Sequence, residues 1–184
     1  MISRLDLFVA ISALLLIALV VMAGVYWKKS RRAGDNTWES LLERLNNVNR
    51  SNVARVALDL IDEDGSNTDA GPELDSTEVW TLLGGLEGME QLEANCEVLI
   101  DLAFYVQREY PEALIIAEDL RLKAREIQWH VSRLKGAAEH GNLETSFADY
   151  AQRAAATYYL MTRHLLALYE AGNLPGYSQL QAAI

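Results

Sequence analysis

The chain has 184 residues, of which 51% are hydrophobic and 23% charged, and its formal net charge is −10. This hydrophobic share is large enough for a packed core, which excludes a disordered chain. The acidic balance argues against nucleic acid as a partner, because affinity for phosphate backbones comes from Lys and Arg. The single cysteine, Cys96, cannot close an intrachain disulfide and lacks the companions of a zinc or redox motif.

A run of 21 residues without any charge, from Leu7 to Trp27, dominates the N-terminal part. At about 1.5 Å per residue such a helix is roughly 31 Å long, which matches a hydrocarbon core of about 30 Å. We therefore predict a single transmembrane helix over residues 7–27. A cleaved secretory signal peptide is the alternative, but its positive charge would precede the apolar run, and here most of the charge follows it.

Residues at the end of this run indicate how the chain meets the bilayer. Tyr26 and Trp27 fall where an aromatic belt contacts the lipid headgroups. The basic residues that follow directly are Lys28, Lys29, Arg31 and Arg32. The positive-inside rule then places the C-terminal domain in the cytoplasm, and the opposite topology, with the domain outside as a sensor, is the alternative.

The charge separates the chain into two unlike parts. Residues 1–32, the predicted anchor with its basic collar, carry five Lys or Arg and one Asp, a net charge of +4. Residues 33–184 carry eleven Lys or Arg and twenty-five Asp or Glu, a net charge of −14. We expect the anchor to associate with an anionic leaflet and the acidic domain to be repelled from it.

The first part of the acidic domain is predicted to form one helix followed by a loop. Apolar residues keep a single helical phase across an Asn-rich stretch, which favours one helix over about 37–62 rather than two. Residues 62–77 form an acidic loop rich in turn-forming residues. An EF-hand is excluded there, because Gly65 and Gly71 would require acids at Leu60 and Ser66.

A short helix and three further long helices are predicted beyond the loop. Asp75 and Glu78 resemble a capping box that begins a short helix, which the pair Gly84 and Gly85 interrupts. The apolar faces then predict a helix to Tyr110, one from Pro111 to Gly141 and one from there to Gly172, with a short piece over 177–184.

The predicted fold class is all-α, with an N-terminal transmembrane helix followed by an antiparallel bundle of about four long helices. Tetratricopeptide repeats are the runner-up, although these helices look too long for a 34-residue unit.

Two helices carry apolar residues outside their main core face. Ile115, Leu122 and Trp129 repeat every seven residues opposite the core face of their helix, and Tyr159 and Leu166 lie outside the main stripe of the last helix. One interpretation is that other parts of the bundle cover these second faces. The other is that they are exposed and bind a partner helix or a second copy of the chain.

Other candidate sites are weaker. An acidic row over one helical face is typical of a solvated surface, although it could receive a basic segment of another protein; its members are Glu90, Glu93, Glu97 and Asp101. A histidine pair, His130 and His164, could ligate heme from facing helices, but no Glu-x-x-His motif of a di-iron bundle occurs. Cys96 falls on an apolar face, as a buried hydrophobe does.

No nucleophile elbow, phosphate-binding glycine loop or His-Glu-x-x-His motif is present in the sequence. We therefore predict no enzymatic activity, no cofactor and no metal. The leading hypothesis is a single-pass membrane protein whose helical domain binds another protein or a second copy, as an assembly, tethering or regulatory subunit. The alternative is a helical bundle at the membrane that binds a ligand or cofactor, heme or a metal.

Overall fold

The computed structural model describes residues 11–22, 24, 37–62, 65–66, 72–108 and 110–184. The chain divides into two units, Met1–Asn36 and Thr37–Ile184. In the first unit, residues 11–22 form helix α1, whose large apolar side chains are mostly exposed. Within the described residues, no helix combines the length and the apolar character needed to cross a membrane. Of the predicted span, residues 7–10, 23 and 25–27 lie outside the described residues.

The second unit is built from α-helices, as predicted, and its described residues contain no β-strand. The helices are α2 Trp38–Glu43, α3 Arg50–Leu58, α4 Ser76–Leu83, α5 Gly85–Tyr105, α6 Ala113–Glu139, α7 Leu143–Ala171 and α8 Tyr177–Ala183, with a 3-10 turn over Val106–Arg108 between α5 and α6. The connections before and after α6 are short, which favours antiparallel neighbours.

Helices α5, α6 and α7 form the centre of this unit. Lys135 near the end of α6 reaches Glu93 near the start of α5. Arg121, which lies about four turns earlier in α6, is placed over Phe104 near the end of α5. These contacts pair the start of one helix with the end of the other, so α5 and α6 are antiparallel. Helices α6 and α7 are antiparallel too, because Asp119 near the start of α6 contacts His164 near the end of α7, and Trp129 further along α6 contacts Tyr150 near the start of α7. The predicted apolar faces of all three helices supply much of the buried core.

The predicted single helix over 37–62 is wrong. Residues 44–49 interrupt it, so that two short helices, α2 and α3, replace it and the bundle has three long helices rather than four. The buried Asn95 of α5 satisfies the interrupted backbone: its carboxamide accepts from the Asn46 N–H at 2.7 Å and donates to the Asn46 carbonyl at 3.0 Å. Asn49 then caps α3 by accepting from the N–H of Asn52.

The break between α4 and α5 is confirmed. Asp75 and Glu78 form the predicted capping box at the start of α4. Gly84 and Gly85 both have positive φ, 76° and 63°, a conformation that side chains disfavour. The Trp80 ring lies against Gly85, where a Cβ atom would come within 2.6 Å of it. The glycine pair therefore both turns the chain and makes room for the ring.

The loop 62–77 is attached to the helices at the ends that the structure describes. Asp59 accepts hydrogen bonds from the main-chain N–H groups of Glu73 and Leu74 and from the side chain of Gln152 in α7. Residues 63–64 and 67–71 of the predicted loop lie outside the described residues.

Helix α8 packs beside the start of the second unit. The Trp38 indole donates to the side chain of Gln179, and its ring contacts Tyr169 at 5.6 Å between centroids. Arg50, the first residue of α3, donates to the main-chain oxygens of Gln181 and Ile184. Elements that are far apart in sequence are thereby joined.

Candidate functional site

The second apolar face of α6 is exposed. Ile115, Leu122 and Trp129, which we call the α6 stripe, have 71%, 64% and 50% of their surface accessible. Seven residues of α-helix advance about 10.5 Å, so the three side chains form a row along one face. The opposite face of α6 is buried against α5 and α7. Of the two interpretations of this pattern, coverage by the rest of the bundle does not hold for the described residues.

The C-terminal end of the α6 stripe is fixed by aromatic contacts. The Trp129 ring meets the edge of Tyr150 of α7 at 5.8 Å, and the Arg133 guanidinium lies 5.1 Å from the indole ring. A half-exposed Trp held on one side by another ring is an amphipathic anchor of the kind found at binding hot spots. One side of the indole is therefore packed against the unit, and half of its surface is accessible.

Charged residues of both signs flank the α6 stripe. Arg121 pairs with Glu118, and Asp119 accepts from Lys123 at 2.7 Å and from His164 at 2.9 Å. These interactions lower the pKa of Asp119, although desolvation by its partial burial, the largest single effect, opposes them. Asp119 therefore stays ionised at neutral pH, and these side chains form a polar border beside the apolar row.

Tyr159 and Leu166 lie in a different part of the second unit, away from the α6 stripe. Both are partly buried and line a cavity of about 360 Å³ between α3, α7 and the C-terminal residues. The five apolar residues singled out in the sequence therefore do not form one surface. Sequence reasoning missed two residues of this cavity, Arg50 and Arg163. Neither belongs to a pattern that links it to the other.

The two histidines considered for heme are engaged separately. His130 is buried, with Nε2 3.8 Å from Glu126 and with no hydrogen-bond partner for Nδ1 among the described residues. Its burial lowers the pKa of this imidazole, against the opposing effect of the Glu126 carboxylate. His164 is exposed and lies beside Asp119. In the described part of the chain, no group of three or more His, Cys, Asp or Glu side chains could hold a metal ion.

The acidic row of α5 forms ion pairs within the unit. Lys135 of α6 reaches Glu90 at 3.2 Å and Glu93 at 3.4 Å, and Arg44 reaches Asp101 at 3.0 Å. Three of the four carboxylates in the row thus have a basic neighbour on another element. They contribute to packing between elements, which makes them a poorer receiving surface for a basic partner than a free acidic face.

Cys96 is buried, as its place on the apolar face predicts. Burial, with a smaller effect from Glu93, raises the pKa of its thiol to about 12. The thiol is therefore protonated at neutral pH and lies 3.2 Å from the carbonyl oxygen of Leu92. Such a group is a poor nucleophile, because the reactive species is the thiolate.

The predicted membrane-interface residues, Tyr26, Trp27, Lys28, Lys29, Arg31 and Arg32, lie outside the described residues. No protein-family model, curated protein or solved structure matches this chain.

Proposed function

We propose that this chain is a single-pass membrane-anchored interaction module whose helical unit binds an amphipathic helix of another protein along the α6 stripe. The observation that supports this most is the exposure of three large apolar side chains at successive heptad positions of one helix. Heptad spacing favours a helix as the partner, because apolar side chains that repeat every seven residues on a second helix can pack along such a row.

The energetics favour a partner held in the same membrane. Complete burial of a large apolar side chain contributes roughly 1.5–3 kcal/mol, so three residues supply about 4–9 kcal/mol at most. Association costs an estimated 4–15 kcal/mol in lost freedom, which leaves little surplus in free solution. Confinement to one membrane raises the effective concentration of the partner and reduces this cost. The charged flank adds orientation rather than much affinity.

The binding proposal can be tested by site-specific crosslinking in native membranes. A photo-crosslinking amino acid at position 122 of the full chain should capture one discrete partner, whereas the same group at the exposed position 128 of the same helix should not. The mass of the adduct distinguishes another protein from a second copy. Crosslinking at position 122 no stronger than at position 128 would overturn the proposal.

A matched pair of variants tests the same surface by affinity. Leu122→Glu places a charge in the middle of the α6 stripe and should abolish capture of the partner, while Gln128→Glu adds the same charge beside it and should preserve capture. Both positions are exposed, so both variants should keep the circular dichroism spectrum of the unaltered chain. Equal capture by the two variants would count against the α6 stripe.

The membrane part of the proposal is supported by the sequence, through the uncharged run 7–27 and the basic residues that follow it. We expect the full chain to resist extraction from membranes by alkaline carbonate. A reporter fused after Ile184 should be active only on the cytoplasmic side. Activity only outside the membrane would reverse the proposed topology, and release by carbonate would remove the anchor.

A further inference from the structure

The α6 stripe has a flank beside α7 that carries carboxylates at heptad spacing. Glu112, Asp119 and Glu126 lie seven residues apart, each three residues before a member of the stripe. Asp119 contacts His164 of α7, and Glu126 accepts from the Thr157 hydroxyl of α7 at 3.2 Å, which places this row on the side of α7. Residues three apart on a helix are neighbours, so the row runs beside the apolar side chains.

Two of these three carboxylates have no cation as a partner in the part of the chain that the structure describes. Asp119 is neutralised by Lys123. Glu126 has 54% of its side chain exposed, and its neighbours are a hydroxyl group and His130, an imidazole whose pKa is lowered by burial and which is therefore neutral at neutral pH. Glu112 is exposed at the start of α6, and no described Lys, Arg or His pairs with it. The charges of Glu112 and Glu126, about 21 Å apart along the helix, are available to a partner.

The flank beside α5 carries the opposite charge. Arg121 lies over Phe104 of α5, and Arg125 follows Arg121 by four residues and Leu122 by three, so it borders the stripe on that side. Arg125 is exposed and forms no ion pair among the described residues. Arg121 pairs with Glu118, so those two add no net charge. The α6 stripe therefore lies between available negative charge on one flank and available positive charge on the other.

A helix laid on the α6 stripe meets both flanks at once. Arg133 follows Glu126 by seven residues, and its guanidinium lies against the Trp129 ring, so the negative flank ends beside the indole. A bound helix therefore faces two separated carboxylates along one edge and one guanidinium along the other. Charges that flank an apolar row determine which helix binds and in which direction, because like charges brought together there are costly.

Resting on the proposed function, we propose that the partner helix carries two basic side chains fourteen residues apart on one flank of its apolar face, which pair with Glu112 and Glu126, and an acidic side chain on the other flank, which pairs with Arg125. Fourteen residues span the same distance on any straight α-helix, so the two pairs form together. The pattern also fixes the direction of the partner, since the opposite direction would bring its basic side chains to Arg125.

A designed peptide tests this preference on the full chain in vesicles of zwitterionic lipid. The peptide has about three heptads, with a leucine in each, two lysines fourteen residues apart on one flank and a glutamate on the other. A palmitoyl group on a flexible linker confines it to the membrane that holds the chain. Binding is measured as photo-crosslinking from position 122.

The matched peptide has glutamates in place of the two lysines. We expect its crosslinking to be about fivefold weaker at low salt, because repulsion replaces attraction at two positions. At about 0.5 M salt the difference should fall below about twofold, since the charges are screened. Equal crosslinking of the two peptides at low salt, or no crosslinking of the lysine peptide, would overturn the proposal.

Variants of the chain locate the charges. Glu112→Lys combined with Glu126→Lys should lower crosslinking of the lysine peptide about fivefold, whereas Glu43→Lys combined with Glu139→Lys should leave it within about twofold. The control pair changes the net charge equally, and its residues are exposed at the ends of α2 and α6. Arg125→Glu should also weaken crosslinking, although it makes the chain more acidic. Stronger crosslinking by Arg125→Glu, or equal effects of the two pairs, would show attraction by net charge alone and overturn the proposal.

The natural partner provides a test whose failure is distinguishable from that of the proposed function. Mass spectrometry of the adduct formed at position 122 in native membranes should identify a helical segment of another protein with this charge pattern beside its apolar row. A segment without the two basic residues would overturn this proposal and leave the proposed function standing. An adduct with a second copy of the chain, or none above the level at position 128, would overturn both.

Discussion

Replacing Asn95 with leucine tests whether the hydrogen bonds of this buried side chain stabilise the break between α2 and α3. Asn95 is 1% exposed, and its carboxamide accepts from the Asn46 N–H at 2.7 Å and donates to the Asn46 carbonyl at 3.0 Å and the Tyr158 hydroxyl at 3.2 Å. Asn95→Leu keeps the branching and the number of heavy atoms of the side chain and removes these bonds. Water can replace the bonds of the exposed Asn46 but not that of the buried Tyr158.

The magnitude follows from these contacts. Each bond to the Asn46 backbone contributes about 1 kcal/mol, and an unsatisfied buried hydroxyl costs about 1–3 kcal/mol. The leucine side chain regains about 1–2 kcal/mol through burial. We therefore expect Asn95→Leu to lower the free energy of unfolding by about 1–4 kcal/mol, measured by urea denaturation of the full chain in mild detergent and followed by circular dichroism.

A second substitution tests the hydrogen bond between Asn95 and the Tyr158 hydroxyl. Tyr158→Phe alone should cost about 0.5–1.5 kcal/mol, because it removes the acceptor for the Asn95 amide. In the Asn95→Leu background the same change should cost nothing or stabilise the fold, because it removes a hydroxyl that has lost its partner. Equal costs in the two backgrounds, or an Asn95→Leu variant as stable as the unaltered chain, would refute the proposed role of this network.

Three further predictions concern single buried or close-packed groups. Burial lowers the pKa of His130 below its usual 6.5, so the unfolded chain binds the proton more readily; the stability due to neutral His130 is complete above about pH 6.5 and is lost as the pH falls. The stability difference between the unaltered chain and His130→Leu should therefore fall between pH 7 and pH 5 by up to about 1.4 kcal/mol per pH unit, and a constant difference would contradict this. Cys96, with a thiol pKa raised to about 12 by burial, should resist a thiol reagent at pH 8 in the folded chain and react once urea unfolds it; rapid labelling of folded protein would show the burial to be wrong. Gly88→Ala should destabilise the fold by more than about 2 kcal/mol, because its Cβ would lie 1.7 Å from the Leu83 carbonyl oxygen. The matched Gly136→Ala, with no atom within 4 Å of the added Cβ, should raise the melting temperature, and similar effects of the two substitutions would contradict the packing.

Local patterns were sufficient for much of the fold. The three long helices follow from apolar faces of period 3.6, and the limits of α4 follow from the capping box at Asp75 and the glycine pair after Leu83. These signals are local, because the residues that define each element lie within a few turns of one another. The exposed heptad of the α6 stripe was also visible, but only the positions of α5 and α7 determine that nothing in the described unit covers it.

The features that sequence reasoning missed depend on contacts between distant residues. The apolar phase runs through residues 37–62 without interruption, yet the helix breaks because Asn95, 49 residues further along, bonds to Asn46. Likewise, the cavity combines Arg50 with Arg163 and Ile184, which come from three separate segments. Periodicity within a segment carries no information about contacts between distant segments. Such tertiary contacts determine where the local preference for a helix is overridden.

The contact between α8 and the beginning of the second unit has a consequence for the order of folding. Helices α5, α6 and α7 are neighbours in sequence, whereas Trp38 and Gln179 meet across 141 positions. Contacts across such a long loop carry a larger entropic cost and form late in folding. We expect amide protons of α3 and α8 to exchange with solvent before those of the central helices. Because these two helices border the cavity, its wall belongs to the part of the second unit that we expect to open first when the protein is mildly destabilised.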